Sequence, residues 1–333
     1  MVLITGAAGT VGSAIAERLV GQVKSLRCLD HAESELFLLH ERLRSKGVVA
    51  PQLGDIRDLD RLRFAFQGVD VVFHAAALKH VGLGEYNPFE VVQSNLVGVN
   101  NVIRSALDSN VERVIFTSSD KAVNPTNVMG ASKMMGERLI TAANEIRGTR
   151  KTRFAAVRFG NVIGSRGSVL PIFVRCLLRG EPLPITHAEM TRYVMTIREA
   201  ADLVLEAGSR MHAGEVYVTK MRALRIVDLA YAAAEVLGRR CDLVTTGARP
   251  GEKLYEELIS IDEIPRTLEL DRLLVVLPPP EATTEQTPTS SMFPQATRVT
   301  REWHSSKDTL LSRAEIAQYL REHRVLDPLL EGA

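Results

Sequence analysis

Three residues able to transfer protons follow a short apolar run at 114–116. Asp120 and Lys121 are adjacent, and Lys133 follows 12 residues after Lys121. The apolar run predicts a buried parallel strand over 114–117, which places these side chains near its carboxyl end and the start of the next helix. Ligands of open α/β sheets bind at that edge, so a carboxyl and two amines there would lie beside a bound cofactor. A solvated ion pair in a loop is the alternative interpretation.

The elements that would hold such a cofactor begin at the first residue. An apolar strand predicted over 1–5 leads into a glycine-rich turn with Gly6, Gly9 and Gly12, and then into a helix. The glycines permit a tight turn and a close approach of backbone to a phosphate, and the helix amino terminus supplies N–H donors. This strand–turn–helix opening predicts dinucleotide binding, with a merely structural turn as the alternative.

Two carboxylates are candidates for the adenosine half of the dinucleotide. Asp30 ends the strand predicted over 26–30, where a carboxylate accepts hydrogen bonds from the adenosine ribose of NAD and repels the 2′-phosphate of NADP. Asp55 follows the third strand and is positioned to meet the adenine amino group. Each has an alternative role as a cap for the helix that follows it. The sequence thus favours NAD over NADP.

The fourth predicted strand, at 69–74, leads into three alanines at 75–77, which let the backbone lie against a flat cofactor. Lys79 and His80 then fall on the ligand side of the same loop, although such residues in loops are more often simply solvated. Asn95, on the next helix, is predicted to anchor this loop.

Strand and helix patterns alternate for the first 160 residues and are irregular afterwards. This arrangement predicts an α/β fold, a doubly wound parallel sheet of the Rossmann type with a smaller C-terminal α/β substrate-binding lid. The predicted NAD-binding domain covers 1–165, and the chain returns to it around 191–221. The lid and C-terminal region cover 166–190 and 222–333, with one helix beginning near Leu254 and a capped helix over 312–323.

Composition narrows the choice of partners and compartment. The formal net charge is +1 over 333 residues, which gives no electrostatic footprint for nucleic acid. Cys28, Cys176 and Cys241 lie far apart without metal-ligand spacing, so no metal site is predicted and the thiols resemble those of a cytosolic protein. No apolar run approaches the roughly 18 residues of a membrane helix, and no signal peptide precedes the first strand. The sequence therefore predicts a cytoplasmic protein without a membrane segment.

Met129 stands four residues before Lys133, where extended short-chain dehydrogenase/reductases usually carry tyrosine. With this methionine and six short motifs, the chain resembles the UDP-N-acetylglucosamine 4,6-dehydratases of bacterial polysaccharide and flagellin-sugar biosynthesis. Some members of that family carry methionine at the same position. The resemblance runs from the first strand through at least Leu258. Its motifs are Ser-Asp-Lys at 119–121, Asn-Pro-Thr-Asn at 124–127, Gly-Asn-Val at 160–162, Gly-Ser-Arg-Gly-Ser-Val at 164–169, Met-Thr-Arg-Tyr at 190–193 and Arg-Pro-Gly-Glu-Lys at 249–253.

The resemblance implies a reaction on UDP-N-acetylglucosamine, a UDP-N-acetylhexosamine. The carbon-4 hydroxyl is oxidised by hydride transfer to NAD⁺, water is lost across carbons 5 and 6, and the hydride returns to carbon 6. The product is a UDP-2-acetamido-2,6-dideoxy-hexos-4-ulose, and the motif style at 183–186 and 190–192 resembles the members that invert carbon 5. Homo-oligomers are common in the family, so the resemblance also implies a homo-oligomer.

This chemistry requires a base for the carbon-4 hydroxyl, a base for the carbon-5 proton and an acid for the departing carbon-6 hydroxyl. Asp120 fits the acid, and Lys121 fits the carbon-5 base if desolvation and neighbouring cations lower its pKa. A thioether cannot usefully accept a proton, so the tyrosine's role at carbon 4 must pass to another group. Our hypothesis is Lys121 or Lys133, with Asp120 or a held water as alternatives and Ser118 or Ser119 as a relay.

Sequence patterns and the resemblance together give three sets of predicted site residues. Lys133 belongs to two of them, because it would also hydrogen-bond the nicotinamide ribose. Arginines suit the diphosphate and Glu252 suits ribose hydroxyls, with structural ion pairs as the alternative for the arginines. The catalytic set is Ser119, Asp120, Lys121, Met129 and Lys133. The cofactor set is Gly6, Gly9, Thr10, Val11, Gly12, Asp30, Asp55, Ile56, Ala75, Ala76, Ala77, Lys79, Asn95, Ser118 and Lys133. The substrate set is Lys79, His80, Lys121, Asn161, Val162, Ser168, Val169, Arg192, Arg249 and Glu252.

Two other functions compete with this one. A sugar-nucleotide 4-epimerase of the same fold needs no carbon-6 acid and usually keeps the tyrosine, so Met129 and the Asp120–Lys121 pair argue against it. A catalytically silent NAD-binding sensor or scaffold would account for the absent tyrosine, but not for the retention of both lysines and the aspartate.

Overall fold

The computed structural model describes residues 1–279 and 289–331 of the chain. The strands are β1 (Val2–Thr5), β2 (Leu26–Asp30), β3 (Val49–Leu53), β4 (Val71–His74), β5 (Arg113–Ser119), β6 (Arg153–Phe159), β7 (Asn161–Val162), β8 (Leu183–Ile185), β9 (Thr191–Met195), β10 (Val216–Thr219), β11 (Arg222–Arg225), β12 (Leu243–Thr245), β13 (Thr267–Glu269), β14 (Leu273–Val276) and β15 (Thr297–Arg298). The α-helices are α1 (Thr10–Leu19), α2 (Glu33–Leu43), α3 (Leu59–Phe66), α4 (Val81–Tyr86), α5 (Pro88–Val92), α6 (Gly98–Asp108), α7 (Val128–Ile146), α8 (Val169–Arg179), α9 (Ile197–Arg210), α10 (Ile226–Val236), α11 (Arg313–Glu322) and α12 (Asp327–Glu331). A π-helical turn covers Gln93–Val97, and 3₁₀ turns cover Asp120–Ala122, Ile261–Arg266 and Ser290–Met292.

The main sheet confirms the predicted doubly wound topology. Strands β3, β2, β1, β4, β5, β6 and β10 lie side by side in that order and run parallel. The chain moves outwards from β1 through β2 to β3 on one side and from β4 through β5 to β6 on the other. The switch point therefore lies between β1 and β4, and the ligand crevice of this topology opens outside the carboxyl ends of these strands.

Consecutive side chains of β5 show how helices cover both faces of the sheet. Ile115 and Phe116 are both buried, as expected of a central parallel strand. A β-carbon on Gly208 of α9 would lie 3.3 Å from Ile115, and one on Gly136 of α7 would lie 2.8 Å from Phe116. Because successive strand residues point to opposite faces, α9 and α7 cover opposite faces of the sheet.

A second, smaller core lies beside the main one. It is built from buried apolar residues of α8, α10, α11 and β8, including Phe173 and Ile316. Two small sheets border it, one with the order β11-β9-β7 and one pairing β12 with β8. The predicted helix over 312–323 is confirmed as α11, in which Ser312 and Glu315 form a reciprocal capping box.

Two predictions about the C-terminal half differ from the structure. The sequence predicts a lid and C-terminal region over 222–333, separate from the main sheet, whereas β14, β13 and β15 continue that sheet beyond β10 with antiparallel pairing. The helix predicted from Leu254 is wrong, because this stretch is irregular and forms a single bridge between Glu257 and His304. Its backbone bonds run to Trp303 and Ser305, which are distant in sequence and leave no local signal.

A buried ionic network joins the main sheet to the C-terminal half. Arg158, at the end of β6, donates hydrogen bonds to both oxygens of Glu137 of α7 and to both oxygens of Glu263 of the 3₁₀ turn. Its side chain is only 2% exposed.

Among the described residues, no helix combines the length and the apolar character needed to span a membrane.

Candidate functional site

A cleft at the switch point contains most of the predicted cofactor residues. Its cavity has a volume of about 320 Å³. The backbone of Gly6 has φ +69°, and a β-carbon there would lie 2.5 Å from the backbone nitrogen of Ala76, so the turn after β1 packs directly on the loop after β4. The predicted residues that line the cavity are Gly6, Gly9, Asp30, Asp55, Ile56, Ala75, Ala76 and Ala77. Thr10, Val11 and Gly12 instead form the first turn of α1.

Asp30 and Asp55 both reach the cleft but differ in their partners. The oxygens of Asp30 accept hydrogen bonds from the backbone N–H groups of Ala8 at 2.9 Å and Ala32 at 3.0 Å, so this carboxylate fixes the glycine turn. Asp55 accepts from the guanidinium of Arg57 at 2.7 and 2.9 Å, and this hydrogen bonding lowers its pKa. The alternative capping role of Asp55 is wrong, because Asp58 is the residue that caps α3.

The loop after β4 is held from two sides. As predicted, Asn95 anchors it, accepting from the N–H of Leu78 and donating to its carbonyl, both at 2.9 Å. From the other side, Lys79 Nζ donates to the carbonyl of Arg166 at 2.7 Å, and His80 packs against Gly167. Lys79 and His80 therefore contact the loop that connects β7 to α8.

The turn after β5 brings the predicted acid–base pair together inside the protein. Asp120 is fully buried, and its Oδ1 accepts from Ser119 Oγ at 2.9 Å and from Lys121 Nζ at 3.0 Å. Within the described part of the chain, Asp120 Oδ2 has no hydrogen-bond partner. Lys121 Nζ also donates to Asn161 Oδ1 at 3.1 Å. The solvated loop ion pair considered above is therefore wrong, because both side chains are largely enclosed.

The two lysines have opposite electrostatic environments. Burial favours a neutral Lys121, but the charges of Asp120 and Glu256 outweigh it and raise its pKa, so the expectation of a lowered pKa is wrong. Burial lowers the pKa of Lys133 to about 8, and Glu137 opposes this only in part. Lys133 Nζ donates to the carbonyl of Thr117 at 2.9 Å and lies 4.8 Å from the centre of the Phe116 ring.

The residue at the usual tyrosine position is enclosed by protein. Met129 is 3% exposed and lies one helical turn before Lys133 on α7. A β-carbon on Gly84 of α4 would lie 3.8 Å from its Cβ. Ser118 is buried nearby in sequence, and its hydroxyl has no partner among residues 1–279 and 289–331.

A second cavity, of about 270 Å³, lies at the amino terminus of α8. Seven predicted substrate residues line it, although they are dispersed over nearly 100 positions of the sequence. The small sheet explains part of this convergence, because Asn161 of β7 pairs with β9, which carries Arg192. The lining includes Asn161, Val162, Ser168, Val169, Arg192, Arg249 and Glu252. Lys121 contacts one of these lining residues, Asn161. Lys79 and His80 do not line the cavity; they lie in the loop after β4, where Lys79 contacts Arg166.

Two residues of the site were missed by the sequence reasoning. Glu256 is 2% exposed, and its Oε1 lies 3.3 Å from Lys121 Nζ and 3.7 Å from Arg192 Nε. Arg166 lines the cofactor cleft and donates to the carbonyl of Ala8. Arg166 lies within the motif at 164–169, which is a sequence signal for it. Glu256 follows the motif at 249–253, but the predicted helix concealed its position.

The first cleft fits a dinucleotide. The contact between Gly6 and Ala76 leaves no room for a side chain where a phosphate-binding backbone must approach closely. Asp30, at the end of β2, and Arg166 both line the cleft. The chain therefore supplies the donors, the acidic group and the positive charge that such a ligand requires.

Comparison with known proteins gives consistent matches across most of the chain. Residues 2–278 match the family model described as polysaccharide biosynthesis protein. The chain is 47% identical over 285 residues to an uncharacterized membrane protein of Methanocaldococcus jannaschii, covering 83% of this chain and 85% of that protein. It is 38% identical over 279 residues to a UDP-N-acetylglucosamine 4,6-dehydratase (inverting) of Campylobacter jejuni, covering 83% and 82%.

Other matches extend the comparison to a solved structure and to a different activity. The X-ray structure of Pen from Bacillus thuringiensis has a TM-score of 0.89 and 36% identity, covering 98% of each chain. A UDP-glucose 4-epimerase of Rickettsia typhi is 36% identical over 278 residues, covering 80% of each chain. The predicted resemblance and the predicted Rossmann-type fold are both confirmed.

Proposed function

We propose that this chain, which belongs to the polysaccharide biosynthesis protein family, is a UDP-N-acetylglucosamine 4,6-dehydratase that inverts carbon 5. One observation carries the proposal. A buried carboxyl and an amine, Asp120 and Lys121, lie 3.0 Å apart at the end of β5, and Lys121 also donates to Asn161 of the second cavity. Dehydration needs this acid–base combination, whereas simple oxidation or epimerisation at carbon 4 does not.

NAD is the usual cofactor of this family, and the cleft at the switch point is where this chain would hold it. When bound, NAD accepts a hydride from carbon 4 and returns it to carbon 6. The glycine turn and the amino terminus of α1 would receive the diphosphate, and Asp30 would accept hydrogen bonds from the adenosine ribose. The three alanines at 75–77 would lie against the rest of the cofactor.

The base for the carbon-4 hydroxyl is assigned to Lys133. Its pKa of about 8 leaves about a tenth of the amine neutral at pH 7, far more than for an ordinary lysine, whereas Lys121 has a raised pKa. Lys133 extends from α7 toward the end of β5, where it contacts the carbonyl of Thr117. Met129 then acts as an apolar wall of the site rather than as a proton carrier.

Asp120 is assigned as the acid that protonates the departing carbon-6 oxygen, and Lys121 as the base at carbon 5. Asp120 Oδ1 is occupied by Ser119 and Lys121, so the proton for the leaving group is assigned to Oδ2. The sugar nucleotide is assigned to the second cavity, with its diphosphate at the amino terminus of α8 and near Arg192 and Arg249.

A 4-epimerase is the second candidate, because a relative named UDP-glucose 4-epimerase matches at 36% identity. The same lysine, cleft and cavity would serve that reaction. It would leave Asp120 without a chemical role, since epimerisation expels no hydroxide. The enclosure of Asp120 favours dehydration.

Incubation with UDP-N-acetylglucosamine, followed by mass measurement of the sugar nucleotide, tests the proposal. We expect the wild-type protein to remove the mass of one water, Asp120→Asn to slow this by about 100-fold or more, and Lys121→Ala to do the same. Unchanged mass with altered configuration would establish an epimerase, and unchanged substrate would establish a silent binding protein. Product NMR after turnover in deuterated water tests the inversion at carbon 5. Dehydration at the wild-type rate in either variant would remove that residue from the mechanism.

A further inference from the structure

The pairing of Lys121 leaves one step of the proposed reaction unexplained. A lysine removes a carbon-bound proton only as a free amine, yet Lys121 Nζ lies between two carboxylates, Asp120 at 3.0 Å and Glu256 at 3.3 Å. These charges hold its proton and raise its pKa. Some neighbouring group must therefore take the ammonium proton before Lys121 can act as a base.

Glu256 has the geometry of a proton acceptor. Its carboxylate is nine-tenths or more buried, and its Oε1 faces both Lys121 and Arg192. Its second oxygen, Oε2, has no hydrogen-bond partner in the parts of the chain at 1–279 and 289–331. A buried carboxylate with an unsatisfied oxygen is costly to maintain, and this cost favours its protonated form.

The segment 249–257, here called the arm, fixes Glu256 relative to the catalytic turn. Its Gly251 carbonyl accepts from Thr126 Oγ1 at 3.1 Å and from Asn127 Nδ2 at 2.9 Å. Lys253 Nζ donates to the carbonyl of Val123 at 2.9 Å. The backbone of Glu256 is also paired, since its N–H donates to Ser305 Oγ at 2.9 Å. The distance between Glu256 and Lys121 is thus set by contacts on both sides of the pair.

We infer that Glu256 accepts the ammonium proton of Lys121, so that the resulting amine can remove the proton from carbon 5 of the substrate. An N–H bond of Lys121 breaks, an O–H bond forms on Glu256, and both partners become neutral. The amine then forms a new N–H bond to the carbon-5 proton, and the released electron pair moves toward the carbon-4 carbonyl oxygen. Lys121 passes this proton to Asp120, which delivers it to the carbon-6 oxygen as the bond from carbon 6 to oxygen breaks and water leaves. Lys121 is then a free amine again, and Glu256 returns its proton to it. Carbon 5 takes its new proton from a separate acid on the opposite face as the hydride returns to carbon 6. This inference rests on the proposed dehydratase function.

The charged groups around Glu256 define how this exchange responds to pH. Lys121 and Asp120 face it from the turn after β5, Arg192 faces it from β9, and Lys253 lies on its own arm. Glu252 of the arm also lies 4.0 Å from Arg192, so Glu252 and Glu256 face the same guanidinium. Burial raises the pKa of Glu256, Lys121 opposes the shift, and Asp120 adds to it. The raised pKa makes Glu256 a better proton acceptor than an exposed carboxylate.

Entry of solvent deuterium at carbon 5 during turnover tests the inference, with Glu256→Gln as the variant. Glutamine keeps the size and polarity but cannot take a proton. We expect deuterium entry to fall by about 100-fold or more near neutral pH while reduced nicotinamide accumulates. Raising the pH should restore deuterium entry, because loss of the Glu256 charge lowers the pKa of Lys121, which can then lose its proton to water.

Two further variants separate chemistry from folding. Glu215→Gln removes another fully buried glutamate with a raised pKa, which lies outside both cavities beside His212 and Tyr217, and it should leave deuterium entry unchanged. Glu256→Asp keeps a carboxylate, so it should recover part of the activity without the high-pH gain, and it provides the comparison if the glutamine variant folds poorly.

Two results would overturn the inference alone while wild-type protein dehydrates the sugar. One is deuterium entry in Glu256→Gln within about threefold of wild type. The other is a loss of equal size at every pH, which indicates a merely structural role. A wild-type protein that removes no water refutes the proposed function itself, and that outcome is visible before any variant is made.

Discussion

The division of labour between the two lysines follows from what surrounds each amine. Lys133 Nζ contacts a carbonyl and an aromatic ring, neither of which carries a full charge, so burial lowers its pKa to about 8. Lys121 is enclosed too, but it faces two carboxylates that raise its pKa. Residues of the same type, 12 positions apart, thus differ in their readiness to accept a proton.

Lys133→Arg should separate charge from proton transfer at this position. Arginine keeps the positive charge but does not lose its proton, so we expect the first nicotinamide reduction to slow by about 100-fold or more. In wild-type protein the rate of that reduction should rise as the pH increases through about 8, because the amine accepts a proton only when it is neutral. Stopped-flow absorbance of reduced nicotinamide measures both effects.

A useful companion to this variant is Met129→Tyr. If Met129 is an adapted part of the site, tyrosine should give no large gain, because the position is enclosed beside Gly84. An increase of orders of magnitude in Met129→Tyr, or unaffected reduction in Lys133→Arg, would contradict the assignment of the carbon-4 base to Lys133.

Several of the residues that the sequence identified lie next to a regular element. Asp120 and Lys121 follow a strongly apolar strand, and Asn95 anchors Leu78 as expected. The pKa of Lys121 could not be predicted, because it depends on Glu256, which lies 135 positions later in the chain. Local patterns indicate which edge of the sheet a residue occupies, but they do not indicate which charges arrive there from another segment.

At the scale of elements, the arm shows where local reasoning fails. The sequence from Leu254 is compatible with a helix, but backbone hydrogen bonds with Trp303 and Ser305 hold it in a non-helical conformation. Glu256 is buried and its carboxylate faces the catalytic turn, whereas the preceding Tyr255 is exposed. Strands β13 and β14 were likewise assigned to the lid, because antiparallel continuation of a parallel sheet leaves no mark in hydrophobic periodicity.

The Arg158 network gives a prediction about these elements. Arg158→Met would leave Glu137 and Glu263 buried without their cation, so we expect a loss of about 3–5 kcal/mol in the free energy of unfolding. Chemical denaturation at neutral pH measures this. Arg266→Met is the matched control, since Arg266 is more exposed and contacts the same Glu263 at 3.5 Å, and its effect should be much smaller.

The pH dependence of the same pair checks the cause. In wild-type protein Arg158 lowers the pKa of Glu263 to about 2, so the stability it contributes is present above pH 4.5 and is lost as the pH falls toward 2. Without Arg158 the buried glutamates should take up protons more readily, so the variant should lose less stability than wild type on acidification. A stability difference between the two proteins that does not narrow as the pH falls would rule out an electrostatic origin.

At the scale of the molecule, one loop lies between the two cavities. Residues 164–168 connect β7 to α8, with Arg166 lining the cofactor cleft while Ser165, Gly167 and Ser168 line the second cavity. This loop is held by Lys79, which donates to the Arg166 carbonyl, and by the bond from Arg166 to Ala8 of the glycine turn. The loop therefore connects the lining of the cofactor cleft to the lining of the second cavity. It contacts the glycine turn, to which the cofactor diphosphate is assigned.

Arg166→Ala should weaken the binding of NAD in the cofactor cleft. Removing a guanidinium that can hydrogen-bond a phosphate costs about 1.5–3 kcal/mol, so NAD should dissociate roughly 10- to 100-fold faster from the variant. Release of the bound dinucleotide into excess competing nucleotide, followed by fluorescence, measures the rate. Arg198→Ala removes an arginine that is 77% exposed and should leave the rate unchanged. Because 164–168 also borders the second cavity, the variant should bind UDP more weakly as well. Unchanged release of NAD from Arg166→Ala would show that Arg166 does not hold the cofactor, and the loop would then serve only the sugar nucleotide.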